Sequence, residues 1–179
     1  MKKFKILSRE LVLDNQYLPV EKQIVELPNG KTTTWFVALV SDAVIIVPQL
    51  KNGKFLLQEN YKHGSGEVVT EFCAGMVDEG ESPEETAKRE LLEETGFGCG
   101  EMIKVGENFS NPTGSAMKYY YFLAQNCEKI SEPNLEDEEQ IEVFEVGDFQ
   151  KASDLLTDKN TKTSSATISA LKYAEKYLE

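Results

Sequence analysis

The sequence predicts an α+β protein, with strand-like segments filling its first part, one sharply bounded helix in the middle and two helices at its end. Three observations carry this reading. Short apolar runs are separated by Pro-Asn-Gly and Asn-Gly turn signals. Ser82 to Gly96 carries start and stop signals of a helix. Ile168, Leu171, Ala174 and Leu178 recur at helical spacing.

In chain order, β segments are expected over Phe4–Leu13, Leu18–Leu27 and Lys31–Val40. The second ends at Pro28-Asn29-Gly30. The third is apolar on both faces, with Trp35, Val37 and Leu39 alternating with Phe36, Ala38 and Val40, so it should be covered on both sides. Ala43–Val47, stopped by Pro48, and Lys54–Gln58 form a hairpin across Lys51-Asn52-Gly53. A glycine-bearing loop over Lys62–Gly66 leads to a strand at Val68–Phe72. In the helix Ser82–Gly96, Ser82 and Glu85 make a capping box, Pro83 holds the first helical position and Gly96 caps the end. Strands are expected near Glu101–Val105, Met117–Ala124 and Gln140–Glu145, then helices near Phe149–Leu156 and Ser165–Leu178.

Composition narrows the function. Of 179 residues, 40% are apolar, enough for a real core, and no apolar stretch is long enough to span a membrane. Met1-Lys2-Lys3 leads into a polar segment rather than a signal sequence, so the chain is expected to stay in the cytoplasm. Cys73, Cys99 and Cys127 show neither a redox nor a zinc spacing and read as reduced structural thiols. His63 is the only histidine, which removes multi-histidine metal sites and a Ser-His-Asp triad within one chain. A net charge of −12 argues against nucleic acid as a partner. A phosphate substrate remains compatible with that charge if divalent cations bridge it to acidic side chains.

The chemistry concentrates between Gly75 and Phe97. Glu90 and Glu94 stand one helical turn apart with Glu93 beside them, so three carboxylates share one face. Alone, three glutamates read as a solvated acidic face. As a ligand set they offer only oxygen, which selects Mg²⁺ or Mn²⁺. The surroundings favour the second reading. Gly75, Glu81, Arg89, Glu90, Leu91, Glu93, Glu94, Gly96 and Phe97 match every fixed position of the pattern G-x5-E-x7-R-E-U-x-E-E-x-G-U, where U is a bulky apolar residue.

That pattern resembles the signature box of the Nudix hydrolases. The resemblance implies the Nudix fold, a mixed β-sheet between helices, with a small N-terminal antiparallel sheet. It implies that Glu90, Glu93 and Glu94 bind Mg²⁺, or Mn²⁺. Arg89 is counted with the catalytic set and pairs with Glu81 to brace the loop, while Gly75 permits its turn. Glu71-Phe72-Cys73-Ala74-Gly75 is similar to the E-x-P-A-G of the ADP-ribose pyrophosphatase subfamily, where the alanine carbonyl also binds metal; here Cys73 replaces the proline and Ala74 keeps its place. Asn60-Tyr61-Lys62 resembles that subfamily's Q-Y-R, which makes Lys62 a candidate for the phosphates, without arginine's bidentate fork. Pro112, in Asn111-Pro112-Thr113-Gly114-Ser115, lies near the position of a characteristic proline of that subfamily and is a substrate-side candidate. The acidic run Glu136–Glu139 before Gln140–Val143 resembles the loop that supplies the catalytic glutamate, and Glu138 and Glu139 are the candidates; a merely solvated loop is the competing reading.

The same resemblance divides the chain into an N-terminal β-sheet over residues 1–41, for dimerisation and base binding, and a hydrolase domain over 42–179. It implies a homodimer that exchanges the N-terminal sheet and stacks an aromatic on the base. Trp35 is the candidate for that stack, and equally a candidate core residue. The expected reaction is Mg²⁺-dependent cleavage of the pyrophosphate of ADP-ribose or a related nucleoside diphosphate sugar, to a nucleoside monophosphate and a sugar phosphate. The alternatives are a nucleoside triphosphate or dinucleoside polyphosphate hydrolase of the same family, and a catalytically inactive module that senses a nucleotide.

Overall fold

A computed structural model describes residues 1–178, which fall into two compact units: 1–42 with 109–118, and 43–108 with 119–178. Among them no helix is long and apolar enough to cross a membrane.

The first unit holds β1 (Lys5–Leu13), β2 (Val20–Glu26) and β3 (Thr32–Ala38), an antiparallel meander in the order β1-β2-β3. The β2–β3 turn uses Gly30 at φ 81°, where a side chain would be strained. The Asn111–Ser115 segment pairs with the end of β3, the Ala38 N–H donating to the Gly114 carbonyl at 2.8 Å. One expectation fails here. β3 is not covered on both faces: Phe36 is 59% exposed, and every residue of β1 is exposed. The reason is architectural, because a three-stranded meander pairs edge to edge and supplies no second layer of its own.

The second unit is built on a mixed sheet of β4 (Ala43–Leu50), β5 (Phe55–Lys62), β6 (Glu67–Glu71), β7 (Cys73–Met76), β8 (Phe97–Gly98), β9 (Glu101–Phe109), β10 (Lys118–Lys129) and β11 (Ile141–Val146). Its spine runs β11-β5-β4-β10-β8, with β6 on β5, β7 on β4 and β9 on β10. Only β4 and β10 are parallel among the registered pairs, from Ala43↔Tyr119 to Leu50↔Cys127. Three helices cover it: α1 (Pro83–Thr95), α2 (Phe149–Thr157) and α3 (Ser165–Glu175).

Side chains alternate across these strands, and the core is therefore double. Val44, Ile46, Leu56, Phe122 and Ala124 meet Ala87 and Leu91 of α1 on one face. Ile45, Val47, Phe55, Leu57, Tyr121 and Leu123 meet Ala152 and Leu156 of α2 and Ala166, Ala170, Leu171 and Ala174 of α3 on the other. The helices thus flank a mixed sheet, as the family resemblance implies. In α3 only Leu171 and Ala174 of the expected stripe are buried: Ile168 is 36% exposed, Leu178 lies beyond the helix, and Ala166, Thr167 and Ala170 complete the buried face.

β4 does not stop at Pro48. It runs on to Leu50, because the proline falls between the end of the β7 pairing, Ile46↔Cys73, and the single β5 pair, Gln49↔Phe55. A missing donor costs least in such a gap. Beyond that pair the two strands part: β4 takes β7 as its neighbour, from Ala43↔Met76, and β5 takes β6, from Gln58↔Glu71. β7 itself has no counterpart among the expected strands, being a four-residue segment whose strand partner is β4. α1 packs on β7 and β4 beside this parting, and Glu94 reaches β7 and β5 across it, which positions the site.

Candidate active site

α1 is held at both ends by local chemistry. The Ser82 hydroxyl accepts from the Glu85 N–H at 3.3 Å, the Glu85 carboxylate accepts from the Ser82 N–H at 2.8 Å, and Gly96 closes the helix at φ 76°. Ala87 and Leu91 seat the helix on the sheet, which turns Glu90, Glu93 and Glu94 toward the β7 edge. The chain before α1 runs along that edge, and at Gly75 it leaves no room for a side chain against Glu90.

Arg89 organises the mouth of the site. Its Nε donates to Glu81 at 3.1 Å and 3.3 Å, and its Nη2 to the same carboxylate at 3.1 Å. Nη2 also lies 3.2 Å from Asp78, while Nη1 reaches Glu90 at 2.9 Å and Glu93 at 3.0 Å. The Thr86 hydroxyl donates to Glu81 at 2.8 Å. The hydrogen bonds from Arg89, then that from Thr86, hold the Glu81 carboxyl below its ordinary range. One guanidinium thus ties the loop before α1 to two of the three carboxylates on it.

Glu94 is the buried member, 3% exposed. Its Oε2 accepts from the Ala74 N–H at 3.1 Å and the Gln58 amide at 3.3 Å, and the Cys73 thiol is hydrogen-bonded to the same carboxylate. None of these donors carries charge, so burial dominates and pushes the carboxyl up to about 7. Burial also raises Glu90, against the pull of Arg89. The Cys73 thiol is raised well above its ordinary value by burial, and then by Glu94.

These groups line a cleft of about 370 Å³ whose walls include Ala74, Gly75, Asp78, Arg89, Glu90, Glu93, Glu94, Asn134, Glu136 and Glu139. Of the two loop candidates, Glu139 is half-buried in this wall and accepts from the Glu136 N–H at 2.9 Å; Glu138 is exposed and lies outside it. Lys62 also lies outside, its ammonium held 2.7 Å from the buried Glu71. Trp35 and Pro112 belong to the first unit. Trp35 is half-buried and lines a shallow depression with Phe4, Leu27, Thr33, Thr34 and Phe36, its ring centroid 6.4 Å from that of Phe4. Pro112 is exposed in its turn.

Four wall or support residues were not legible beforehand. Asp78 has no register with the helix, and Asn134 enters through a backbone bond from its N–H to the Glu93 carbonyl at 2.8 Å. Glu136 sits in the acidic run already singled out, but nothing local separates it from its neighbours. Gln58 looks like one more residue of a strand.

The donor chemistry suits a divalent cation. Every side chain offered by the carboxylate wall is an oxygen donor, its charge is negative, and Glu94 is buried with uncharged partners alone. Among the described residues no three acidic, histidine or cysteine side chains form a ready cage, Arg89 holding Glu90 and Glu93 toward itself.

A helix on a mixed sheet thus presents carboxylates to a cleft beside a loop glutamate. The chain belongs to the Nudix family, whose NUDIX domain matches residues 40–167. It is similar to the ADP-ribose pyrophosphatase of Bacillus subtilis (strain 168), 29% identical over 143 residues, 79% of this chain and 77% of that protein. It is also similar to the GDP-mannose pyrophosphatase of Yersinia enterocolitica, 31% identical over 141 residues, 74% of this chain and 72% of that protein. A solved structure described as an ADP compounds hydrolase superposes with a TM-score of 0.86 at 27% identity, covering 99% of this chain and 95% of that one.

Proposed function

We propose that this Nudix hydrolase cleaves the pyrophosphate of ADP-ribose or a related nucleoside diphosphate sugar, using Mg²⁺ or Mn²⁺ and releasing a nucleoside monophosphate and a sugar phosphate. The observation that carries the reading is the meeting of Glu139 with Glu90, Glu93 and Glu94 in one cleft. An acidic wall would repel a pyrophosphate, so Glu90, Glu93, Glu94 and the Ala74 carbonyl are assigned to the cation. When bound, that cation supplies charge neutralisation for the pyrophosphate and acidifies a water. Glu139 takes the proton from the attacking water and holds it in line with phosphorus. Arg89 keeps the loop and two carboxylates in register.

The intact carboxylate set disfavours a nucleotide-sensing module without activity. The similarity to both ADP-ribose and GDP-mannose enzymes supports a sugar-linked substrate over a nucleoside triphosphate or dinucleoside polyphosphate, and leaves the base to experiment. We assign residues 1–41 to dimerisation and base binding, with the hydrolase in 42–179. Support for a homodimer comes from the exposed apolar side chains of the first unit, where Leu7, Leu11, Leu13 and Phe36 are between 44% and 59% exposed. Trp35 is assigned to the base and Pro112 to the substrate side. Lys62 would serve the phosphates only by leaving Glu71. Three free thiols suit a reducing compartment, and we place the enzyme in the cytoplasm.

The test is a panel of ADP-ribose, GDP-mannose, other nucleoside diphosphate sugars, nucleoside triphosphates and dinucleoside polyphosphates, each with Mg²⁺, Mn²⁺ or chelator. Metal-dependent release of a nucleoside monophosphate from a diphosphate sugar is expected. Preferential turnover of triphosphates, or none of any compound, would overturn the reading.

A further inference from the structure

Gln58 is the least expected side chain in the sheet. Its neighbours Phe55, Leu56 and Leu57 are core residues, and Gln58 is itself only 1% exposed. A primary amide at such depth costs free energy unless both its ends are bonded. Only one end is. Nε2 donates to Glu94 Oε2 at 3.3 Å, while Oε1 has no partner. As a contribution to stability alone this is a poor arrangement, since one weak hydrogen bond is set against one orphaned carbonyl.

The arrangement makes sense by what it does to Glu94. Two nitrogen donors from two different strands, the Ala74 N–H of β7 and the Gln58 amide of β5, converge on the same carboxylate oxygen. They reach it across the place where β4 and β5 have parted, so the carboxylate is gripped from both sides of the opening. With Oε2 held from two strands and the Cys73 thiol bonded to the same carboxylate, the group lines the cleft with little freedom to rotate.

We propose that Gln58 is a positioning residue for the reaction, one that fixes the Glu94 carboxylate in the orientation it needs as a cation ligand. The inference rests on the assignment of Glu94 to the metal. A partner behind a ligand sets its direction and limits its rotation, and loss of such a partner costs about 10-fold or more in metal affinity. The orphaned Oε1 is the stability given up for that orientation.

Two substitutions separate positioning from packing. Gln58→Met keeps the length and volume while removing both polar atoms, and Gln58→Asn keeps a buried amide but withdraws the donor by one methylene. Mn²⁺ binding is measured by calorimetry on the whole protein without substrate, beside the thermal midpoint in chelator. Both variants are expected to weaken Mn²⁺ binding about 10-fold, with Gln58→Met melting in chelator at or above the parent temperature because the orphan is gone. Mn²⁺ affinity in either folded variant within twofold of the parent would overturn the proposal. So would a loss of affinity in Gln58→Met that merely tracks a lower melting temperature. Failure of the parent itself to bind Mn²⁺ would overturn the metal assignment as well, which distinguishes that outcome from a failure of Gln58 alone.

Discussion

Gly75 and Glu90 are in a contact that only glycine permits: a Cβ at position 75 would stand 2.0 Å from the Glu90 carboxyl carbon. The absence of a side chain on β7 is therefore what lets a carboxylate of α1 lie against the sheet edge. Gly75→Ala must push Glu90 aside or lift the helix. Because misplacement by about 1 Å can cost about 100-fold in rate, kcat/KM for ADP-ribose should fall by about that factor. Far-ultraviolet circular dichroism should remain that of the folded protein, and near-parent turnover would show that Glu90 has room to yield.

Glu94 makes stability and activity pull in opposite directions. Its folded carboxyl is raised to about 7 from an ordinary 4.5, so the folded protein prefers the protonated form. Stability from this group is fully present below about 4.5 and is lost as pH rises through about 7. Glu94→Gln should therefore be more stable than the parent in chelator at pH 8, by an amount on the order of 1–3 kcal/mol, with the difference vanishing toward pH 4.5. Excess Mg²⁺ should raise the parent's melting temperature more than the variant's, and the variant should lose most activity. Urea denaturation across this pH range checks the sign.

The two loop glutamates should behave differently. Glu139 lines the cleft, and Glu138 is exposed outside it. Glu139→Gln should lower kcat by about 100-fold or more, the range of general base catalysis, while Glu138→Gln stays within about twofold of the parent, as suits an exposed residue away from the chemistry. Steady-state kinetics at saturating Mg²⁺ decides, and equal effects of the two substitutions would remove Glu139 from the role of base.

Trp35 tests the assignment of the base. Stacking on an aromatic contributes about 1–3 kcal/mol by alanine substitution in nucleic-acid binders. Trp35→Ala should raise KM for ADP-ribose roughly ten-fold with a smaller change in kcat, because a stack is equally good in ground and transition states. AMP should quench the fluorescence of the only tryptophan in the parent. If AMP leaves the fluorescence unchanged and Trp35→Ala alters only the melting temperature, the residue is packing and the base is held elsewhere.

What the sequence by itself determined is what depends on neighbours within a few residues. Ser82 with Glu85, Pro83 and Gly96 delimit α1 because caps act over one helical turn, and the register of Glu90, Glu93 and Glu94 follows from the helix once its ends are known. Family membership was legible for the same reason, since the box is one contiguous stretch. Tertiary structure alone decided whatever depends on residues far apart in the chain. Lys62 meets Glu71 because β5 lies beside β6, β4 runs through Pro48 because its lateral partners change there, and Glu139 rather than Glu138 faces the cleft because of how the loop enters β11. Gln58 is the sharpest case. On its own strand it reads as an ordinary polar residue, and it acquires a part in the site only because the sheet parts over it and α1 brings Glu94, 36 residues later, into hydrogen-bonding distance.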